Sequence, residues 1–295
     1  FPVAMCGADS AWPGGALMRS ADAGATWDQP LDFAPPGATI GVATTTIGVV
    51  ESRLIDAASR LTVTLTSGTL SDVSELAMLA GANHFAYGAA GRWEIIAARS
   101  CTLQSGSTYI LSNLLRGRFG SEWAMGLHAT SDVVVLLDSA DLQVLPLTNA
   151  DIGAARLFRA ITSGRDFSTD SDRAMTYAAV NLKPLSPVLL NGSRDPGTAD
   201  WSLTWTRRTR KGGEWLDGVD AELGEAAEAY DIEVYADGSY ATLKRTITAS
   251  SPSCAYSSAD QVSDFGTNQS TLYLKVYQRS ATVGRGYPLT TAITR

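Results

Sequence analysis

The residues with the clearest spacing for chemistry lie in the segment Ser20-Ala-Asp-Ala-Gly-Ala-Thr-Trp27, which fits S-x-D-x-G-x-T-W at every fixed position. Asp22 and Gly24 favour a tight turn, because an Asp side chain bonds turn amides and Gly accepts a left-handed backbone. Ser20 and Thr26 supply hydroxyl groups, and Trp27 supplies an apolar ring that packs under a hairpin. The pattern therefore predicts a β-hairpin whose turn is stabilised by its own side chains.

The same pattern, known as the Asp-box, resembles the hairpins of sialidases, which carry several of them. That resemblance implies a glycan-cleaving protein. A β-propeller of the sialidase kind would contain several boxes, however, and this sequence contains one. We therefore interpret Ser20, Asp22, Gly24, Thr26 and Trp27 as a structural hairpin, with the sialidase-like function kept as the alternative.

The only basic cluster is Arg207-Arg-Thr-Arg-Lys211. On a strand, Arg208 and Arg210 would share one face while Arg207 points to the other. One interpretation is a groove for a polyanion, although the aromatic residues that stack on nucleic-acid bases are not interleaved here. The other is a solvated edge strand whose charges oppose aggregation. Arg207, Arg208, Arg210 and Lys211 are thus candidate surface-contact residues.

Two further groups of charged residues have spacings that could serve a site. The segment Arg116-Gly-Arg118 is typical either of an anion grip or of a turn at a strand end. Glu222, Glu225 and Glu228 have helical or loop spacing. A glycosidase needs two carboxylates about 5–10 Å apart in a cleft, and nothing in the sequence marks such a pair.

The inventory of catalytic and metal-binding residue types is small. The chain has two histidines, His84 and His128, and three widely spaced cysteines, at positions 6, 101 and 254. This leaves little basis for a catalytic triad, a zinc site or a disulfide framework. We expect both histidines to be satisfied loop or core residues, and we predict no enzymatic activity, no cofactor and no metal.

The elements that must position these residues are mainly strands. Five segments either alternate apolar and polar residues or form a short apolar run, as half-buried or buried strands do. They are Leu61–Thr66, Val133–Leu137, Trp201–Thr206, Tyr230–Tyr235 and Leu272–Tyr277.

Helical signals are rare. One short helix is predicted from Asp72 to Ala80, with Asp72 and Glu75 as a capping box. The segment from Glu222 to Ala229 is predicted to be one turn or a loop.

Pro184 and Pro187 favour an extended linker, so we place a domain boundary between residues 187 and 188. Residues 1–187 form a β-rich part with the Asp-box hairpin, as a β-sandwich or a barrel-like fold. Residues 188–295 have the length of one immunoglobulin-like sandwich. The sequence shows no repeat of 20–50 residues that would indicate a solenoid or propeller.

The charge balance bears on partners. With 23 basic and 30 acidic residues the net charge is −7, whereas a nucleic-acid binder usually carries a basic patch. We therefore expect no nucleic acid as the main ligand. No apolar stretch approaches the length of a membrane span, and no basic and apolar leader opens the chain. The start at Phe1 is interpreted as that of a fragment or a processed product.

Several stretches together resemble one family. In the first half of the chain they are Leu79–Asn83, Trp93–Ile96 and Tyr109–Glu122. Further along the chain they are Leu203–Arg210, Tyr230, Asp264–Gly266, Val276–Ser280 and Val283–Gly286. The family is that of the tail-tip host-specificity or "megatron" baseplate hub proteins of gene transfer agents and related siphophages, and the downstream segments are similar to the terminal fibronectin-like module of those proteins. The set covers the chain from about residue 12 to its end and keeps the order of the family.

The resemblance implies an all-β fold whose second part is a fibronectin type III-like sandwich. We predict its core to contain Trp201, Leu203, Trp205, Ile232, Val234, Leu274 and Val276. It also implies a structural component of the tail tip, in the virion and extracellular when acting. The implied partners are other baseplate proteins and a host receptor or glycan, with three copies in the virion. The glycosidase-like region of such proteins lies upstream, so its activity is not transferred to this chain.

Overall fold

The computed structural model describes residues 1–9, 11–138, 140–212 and 218–295, which divide into two compact units. The first unit is Phe1–Ala178 and the second is Ala179–Arg295. Strands dominate both units, so the predicted all-β fold class is confirmed. The division between the units falls earlier in the chain than the predicted boundary at 187/188.

The residues around Pro184 belong to the second unit because they pack on it. The carbonyl of Pro184 accepts a hydrogen bond from the amide of Tyr287 at 3.3 Å. The ammonium of Lys183 lies 5.3 Å from the ring centre of Tyr287, and the carbonyl of Ser186 accepts from Arg208 Nε at 2.7 Å. Proline removes an amide donor but leaves its carbonyl free to accept, so a proline-rich segment can still be held against a domain.

The described part of the first unit contains one α-helix, α1 (Glu75–Leu79), and twelve strands. The strands are β1 (Pro2–Val3), β2 (Gly15–Ser20), β3 (Asp28–Phe33), β4 (Ile40–Ala43), β5 (Asp56–Ser67), β6 (His84–Ala89), β7 (Arg92–Ser105), β8 (Thr108–Arg118), β9 (Val133–Leu136), β10 (Gln143–Val144), β11 (Ala155–Thr162) and β12 (Arg173–Thr176). Short 3₁₀ turns lie at Glu122–Ala124, Asn149–Asp151 and Phe167–Thr169.

Six of these strands close a barrel in the order β4-β5-β8-β7-β6-β9, with every neighbouring pair antiparallel. The alternation in β5 shows which side of the strand faces the inside of the barrel. Leu61, Val63 and Leu65 are buried in the barrel core, and the threonines between them are less buried. Closure leaves no unpaired edge along the barrel wall. The barrel-like prediction for the first part is confirmed by this arrangement.

A second sheet of the first unit has the strand order β12-β11-β2-β3, and β1 pairs with β10 beside it. Its apolar side packs in a separate small core made of Trp12, Leu17, Leu31, Phe33, Leu145 and Phe158. The turn between β2 and β3 is the segment with the Asp-box pattern, so the predicted hairpin forms.

The helix predicted from Asp72 to Ala80 forms over a shorter range, Glu75–Leu79. Ser74 caps it, because its hydroxyl accepts the amide of Ala77 at 3.1 Å. Asp72 lies outside the helix, and its carboxylate accepts the amide of Cys101 on β7 at 2.7 Å. The predicted capping box of Asp72 and Glu75 is therefore wrong, since Asp72 accepts the amide of Cys101 at a position where β7 has passed the end of its pairing with β6.

The second unit contains, among its described residues, eight strands and the helix α2 (Ser258–Phe265). The strands are β13 (Val188–Arg194), β14 (Trp201–Thr206), β15 (Tyr230–Tyr235), β16 (Leu243–Ala249), β17 (Ser253–Tyr256), β18 (Thr271–Ser280), β19 (Gly284–Arg285) and β20 (Leu289–Thr294). A 3₁₀ turn at Val180–Leu182 precedes them. Residues 222–229 form a loop with bends, as one of the two predictions had it.

Two antiparallel sheets face each other in this unit. One has the order β13-β14-β17, and the other has the order β16-β15-β18, with β19 and β20 both paired to β18. Apart from the two-residue strand β19, three strands face four, which is the arrangement of a fibronectin type III-like sandwich, as predicted. All seven predicted core residues are buried between the sheets: Trp201, Leu203, Trp205, Ile232, Val234, Leu274 and Val276.

Candidate functional sites

The turn of the Asp-box hairpin is held by its own polar side chains. The Ser20 hydroxyl donates to Asp22 Oδ1 at 2.7 Å and accepts the amide of Gly24 at 2.8 Å. Asp22 Oδ2 accepts the Thr26 hydroxyl at 2.6 Å, and Oδ1 accepts the Thr26 amide at 2.8 Å. These bonds from Thr26, followed by the bond from Ser20, lower the pKa of Asp22 to about 2. The carboxylate is therefore a fixed, ionised part of the turn.

Trp27 is held by residues outside the hairpin as well as by the turn. Its Nε1 donates to the carbonyl of Gly24 at 3.2 Å, where the backbone is left-handed with φ of +94°. The guanidinium of Arg159 on β11 lies 5.0 Å from the Trp27 ring centre, and the Phe167 ring meets it edge-on at 5.3 Å. Arg159 in turn pairs with Asp172 at 2.6 Å. The five predicted residues are thus brought together as a stabilised hairpin.

A shallow depression of about 300 Å³ lies beside this hairpin. Two arginine–aspartate pairs line it together with Thr26 and Trp27. Arg19 Nη2 and Asp28 Oδ2 are 2.6 Å apart across β2 and β3, and Arg156 Nη2 and Asp151 Oδ1 are 3.6 Å apart. All four charged side chains remain between about a quarter and a half exposed. The depression therefore offers both donors and acceptors to a ligand.

The basic cluster lies directly after β14, which ends at Thr206, so the predicted strand placement of Arg208 and Arg210 is wrong. Arg207 Nη2 donates to Asp220 Oδ2 at 2.7 Å and to the carbonyl of Ala221 at 2.6 Å. Arg207 follows the last residue of the strand and lies beside an acidic loop. The oxygen atoms of that loop accept its hydrogen bonds, so the segment does not continue as a strand.

The other two arginines of the cluster also donate hydrogen bonds to loop atoms. Arg208 bonds the carbonyl of Ser186, as described above, and Arg210 Nη2 reaches Glu225 Oε1 at 3.1 Å and the carbonyl of Gly224 at 2.9 Å. Lys211 is exposed. The three arginines therefore tie the second unit's loops together, which leaves Lys211 as the cluster residue that faces solvent.

The three glutamates of the following loop take different partners. Glu225 pairs with Arg210, whereas Glu228 Oε1 accepts the Tyr230 hydroxyl at 2.7 Å. The backbone carbonyl of Glu222 accepts Arg207 Nη1 at 3.1 Å. These contacts hold the loop against the end of β14 and the start of β15.

A buried ionic network inside one end of the barrel was missed by the sequence reasoning. Arg116 donates from Nε and Nη2 to the two carboxylate oxygens of Glu94, at 2.7 and 2.8 Å, and the amide of Gly117 adds a third bond at 2.8 Å. His128 Nε2 lies 2.8 Å from Glu94 Oε2. Arg116, Glu94 and the His128 side chain are fully buried.

The network continues through Asp132. His128 Nδ1 lies 3.5 Å from Asp132 Oδ2, and Arg92 forms a two-pronged ion pair with the same carboxylate. The Tyr87 ring stacks on the His128 ring at 3.8 Å, and burial raises the pKa of Tyr87 to about 12. The bond from Arg92 lowers the pKa of Asp132. Together these contacts fasten the loop between β8 and β9 to the barrel.

The segment Arg116-Gly-Arg118 is therefore neither an external anion grip nor a plain turn. Arg116 stands on β8 and grips an internal carboxylate. The buried pair of Glu94 and Arg116 has one signal in the sequence. Glu94 stands two residues before Ile96, and strand alternation places both side chains on one face. Ile96 is an obvious core residue, so a charge at position 94 requires a buried partner.

The two histidines are packed in protein, as expected, but they are not fully satisfied, since His84 Nε2 and His128 Nδ1 are buried without a hydrogen-bond partner. His128 belongs to the buried network, and His84 Nδ1 lies 2.7 Å from the carbonyl of Gly81. Among the described residues, no group of three or more His, Cys, Asp or Glu side chains is placed to hold a metal ion. No helix in the described part of the chain is long and apolar enough to cross a membrane.

The second unit has an ionic cluster of its own on the outer face of the β15–β18 sheet. Arg285 Nε reaches Asp231 Oδ2, and Arg285 Nη1 reaches Glu233 Oε1, both at 2.6 Å. Glu233 Oε2 also accepts the Tyr235 hydroxyl at 2.6 Å. Burial alone would raise the pKa of Glu233, but the bonds from Tyr235 and Arg285 outweigh it and lower that pKa.

Comparison with known proteins gives one family match. The family "Rcc01698-like, C-terminal" matches residues 38–135. This family is associated with gene transfer agent proteins, and the matched segment coincides with the six barrel strands, Ile40 to Leu136. The match covers the barrel but less than half of the chain. No curated protein matches the chain significantly.

Solved structures with similarity to the chain include domains d3–d4 of the rat CD45 extracellular region, at 15% identity and a TM-score of 0.26. That alignment covers 54% of this chain and 72% of the CD45 chain. Titin domains A168–A170 align at 8% identity and a TM-score of 0.26, over 87% of this chain and 99% of theirs. At such scores the alignments carry no argument about function.

Proposed function

We propose that this chain is a structural component of the tail tip, or baseplate, of a bacteriophage or gene transfer agent. There it contributes to tail assembly and to recognition of the host surface. The observation that supports the proposal is the family match, because it covers residues 38–135, which hold all of the barrel strands except Leu136, and that family is associated with gene transfer agents. The resemblance in Leu79–Asn83, Trp93–Ile96 and Tyr109–Glu122 lies within the same matched residues.

The contacts of the ionisable side chains support a structural role. Arg116 and His128 are both bonded to Glu94 inside the barrel, and Asp22 is bonded within its turn. Three of the four cations in the basic cluster are bonded to loop atoms of the same unit. A protein that carries mechanical and assembly contacts benefits from loops held in one conformation.

The proposed partners are other baseplate proteins and a receptor or glycan of the host surface. The proposed location is the virion tail tip, which is extracellular when it acts. Three copies are expected in the virion through domains upstream of this segment, whereas the isolated chain is expected to be a monomer. Light scattering at several concentrations tests the latter, and a stable trimer of the 31.1 kDa chain at micromolar concentration would contradict it.

Labelling of whole particles tests the proposal directly. An epitope tag fused after Arg295 is expected to bind gold-conjugated antibody at the distal end of the tail in purified particles. The matched control carries the same tag on a capsid protein and is expected to be labelled on the head. Label that is absent from particles, or confined to the head, contradicts the tail-tip proposal.

A second candidate function is glycan binding or sialidase-like glycan cleavage, and the depression beside the Asp-box favours the binding part of it. Cleavage is tested with a fluorogenic sialoside. We expect no turnover by the full chain. Turnover that Asp22→Ala abolishes, in a variant that still melts cooperatively, would establish the enzyme instead.

A further inference from the structure

We infer that the depression beside the Asp-box hairpin binds an uncharged carbohydrate. The inference rests on one observation. Two arginine–aspartate ion pairs, each with no net charge, and a tryptophan held in one orientation line an open cavity of about 300 Å³. The inference also rests on the proposed host-surface role, because it names the ligand class through which this unit would make that contact.

The polar groups of the depression are held in place before any ligand arrives. Asp28 and Arg19 are cross-strand neighbours in the β2–β3 hairpin and form two hydrogen bonds, at 2.6 and 3.3 Å. Asp151 closes the 3₁₀ turn at Asn149–Asp151, where its Oδ2 accepts the Thr148 amide at 2.9 Å. Binding groups that are already ordered lose little conformational entropy when a ligand binds.

The charge of the lining decides the class of ligand. Arg19 and Arg156 carry two positive charges, and Asp28 and Asp151 carry two negative charges, so these groups sum to zero. An anionic ligand would be repelled by the two carboxylates, and a cationic ligand would be repelled by the two guanidiniums. A neutral ligand experiences neither repulsion, so the lining disfavours a sialic acid and favours an uncharged sugar.

The chemistry of a hydroxyl group matches this lining. Each sugar hydroxyl both donates and accepts, so adjacent hydroxyls can bond a carboxylate and a guanidinium at the same time. Trp27 supplies an apolar surface for the C–H face of a sugar ring, and its orientation is set by Gly24, Arg159 and Phe167. Ligand sites typically combine aromatic lining with a few placed polar groups in this way.

The test begins with the full chain on an array of immobilised neutral and sialylated oligosaccharides. We expect binding to one or more neutral oligosaccharides and none to the sialylated ones. The affinity of the neutral oligosaccharide with the strongest signal is then measured by titration calorimetry. Absence of binding to any neutral oligosaccharide, or preference for sialylated ones, overturns the inference.

Substitutions in the depression locate the binding. Arg156→Gln and Asp28→Asn remove charge from two sides of the cavity and are each expected to weaken binding at least about tenfold, because each removes a charge-assisted bond. The matched control is Arg173→Gln, an exposed arginine of the same unit that does not line the depression, and its affinity is expected to be unchanged.

Melting curves of all three variants show whether each still folds, so a loss of binding is separated from a loss of structure. Unchanged affinity in both folded depression variants places the ligand elsewhere and overturns the assignment. Failure here leaves the particle-labelling result untouched, since that experiment reports the position of the chain and not its ligand. The two proposals can therefore fail separately.

Discussion

The barrel and the fibronectin-like sandwich each contain an arginine that is bonded to acidic side chains of the sheet, Arg116 to Glu94 and Arg285 to Asp231 and Glu233, but the two arginines are placed differently. In the barrel, Arg116 and Glu94 are both fully buried. In the sandwich, the Arg285 side chain is 39% exposed while its partners Asp231 and Glu233 are almost buried. Removing one partner of a buried pair leaves an uncompensated charge, whereas water can replace a partly exposed cation. The same pairing should therefore matter far more in the barrel.

The largest effect is expected from Arg116→Met. Glu94 would keep its contacts to His128 and Gly117 but lose its only bonded guanidinium, so the barrel should lose about 3–5 kcal/mol of unfolding free energy. Urea unfolding followed by tryptophan fluorescence measures it, in the transition of the first unit. The double variant Glu94→Leu with Arg116→Met removes both charges and should recover much of the loss. A single variant as stable as the parent would contradict the buried-pair argument.

A smaller effect is expected at the start of the second unit. The fragment 179–295 should be more stable than 188–295 by about 1–3 kcal/mol, because the longer one keeps the bonds from Tyr287 to Pro184 and from Arg208 to Ser186. Both fragments should show dispersed amide signals in NMR spectra, and thermal melting compares their stability. Equal melting temperatures would mean that residues 179–187 act as a simple linker.

Arg285→Gln should cost about 1 kcal/mol, since the exposed guanidinium is already screened by water. The lowered pKa of Glu233 adds a pH dependence. A carboxyl group whose pKa is lowered in the folded state stabilises the fold at pH values above its pKa in the unfolded state, which is about 4.3 for Glu. This stabilisation is lost as the pH falls through the pKa of the folded state. The parent should therefore lose more stability than the variant between pH 5 and more acid conditions, as followed by melting at each pH. Parallel pH curves would show that Arg285 does not lower the Glu233 pKa.

The smallest effect is expected from Asp22→Ala in the hairpin. The substitution removes the bonds to Thr26 and Ser20, and it should lower the melting temperature of the first unit slightly without unfolding it. Asp9→Ala, at another exposed turn of the same unit, serves as the control. If Asp22→Ala melts like the parent, the turn is held by Gly24 and Trp27 alone.

Alternation in the sequence was enough to predict much of the fold. Trp201–Thr206 and Tyr230–Tyr235 were predicted as strands and form with those bounds, since their apolar residues repeat with the period of a strand. The turn of the Asp-box hairpin could also be predicted, because its side-chain hydrogen bonds join residues within four positions of one another. Contacts between residues that are close in sequence can be predicted from the spacing of the residue types.

The candidate sites were harder to predict because their partners are distant in sequence. Glu94 and Arg116 pair across neighbouring strands β7 and β8, and His128 reaches them from a loop. The depression joins Arg19 and Asp28 to Asp151 and Arg156 only because β11 pairs with β2. The basic run at Arg207 looked like a strand because its partner, the loop at Asp220, could not be identified from spacing.

The sequence by itself determined the all-β class, five of the strands, seven residues of the sandwich core and the hairpin, since each follows from hydrophobic periodicity or from contacts between near neighbours. The tertiary structure alone decided the closure of the barrel, the burial of the Arg116 network and the neutral lining of the depression. Each of these requires side chains from strands or loops that are far apart in the chain to meet. Their pairing depends on sheet order and register, which no single segment encodes.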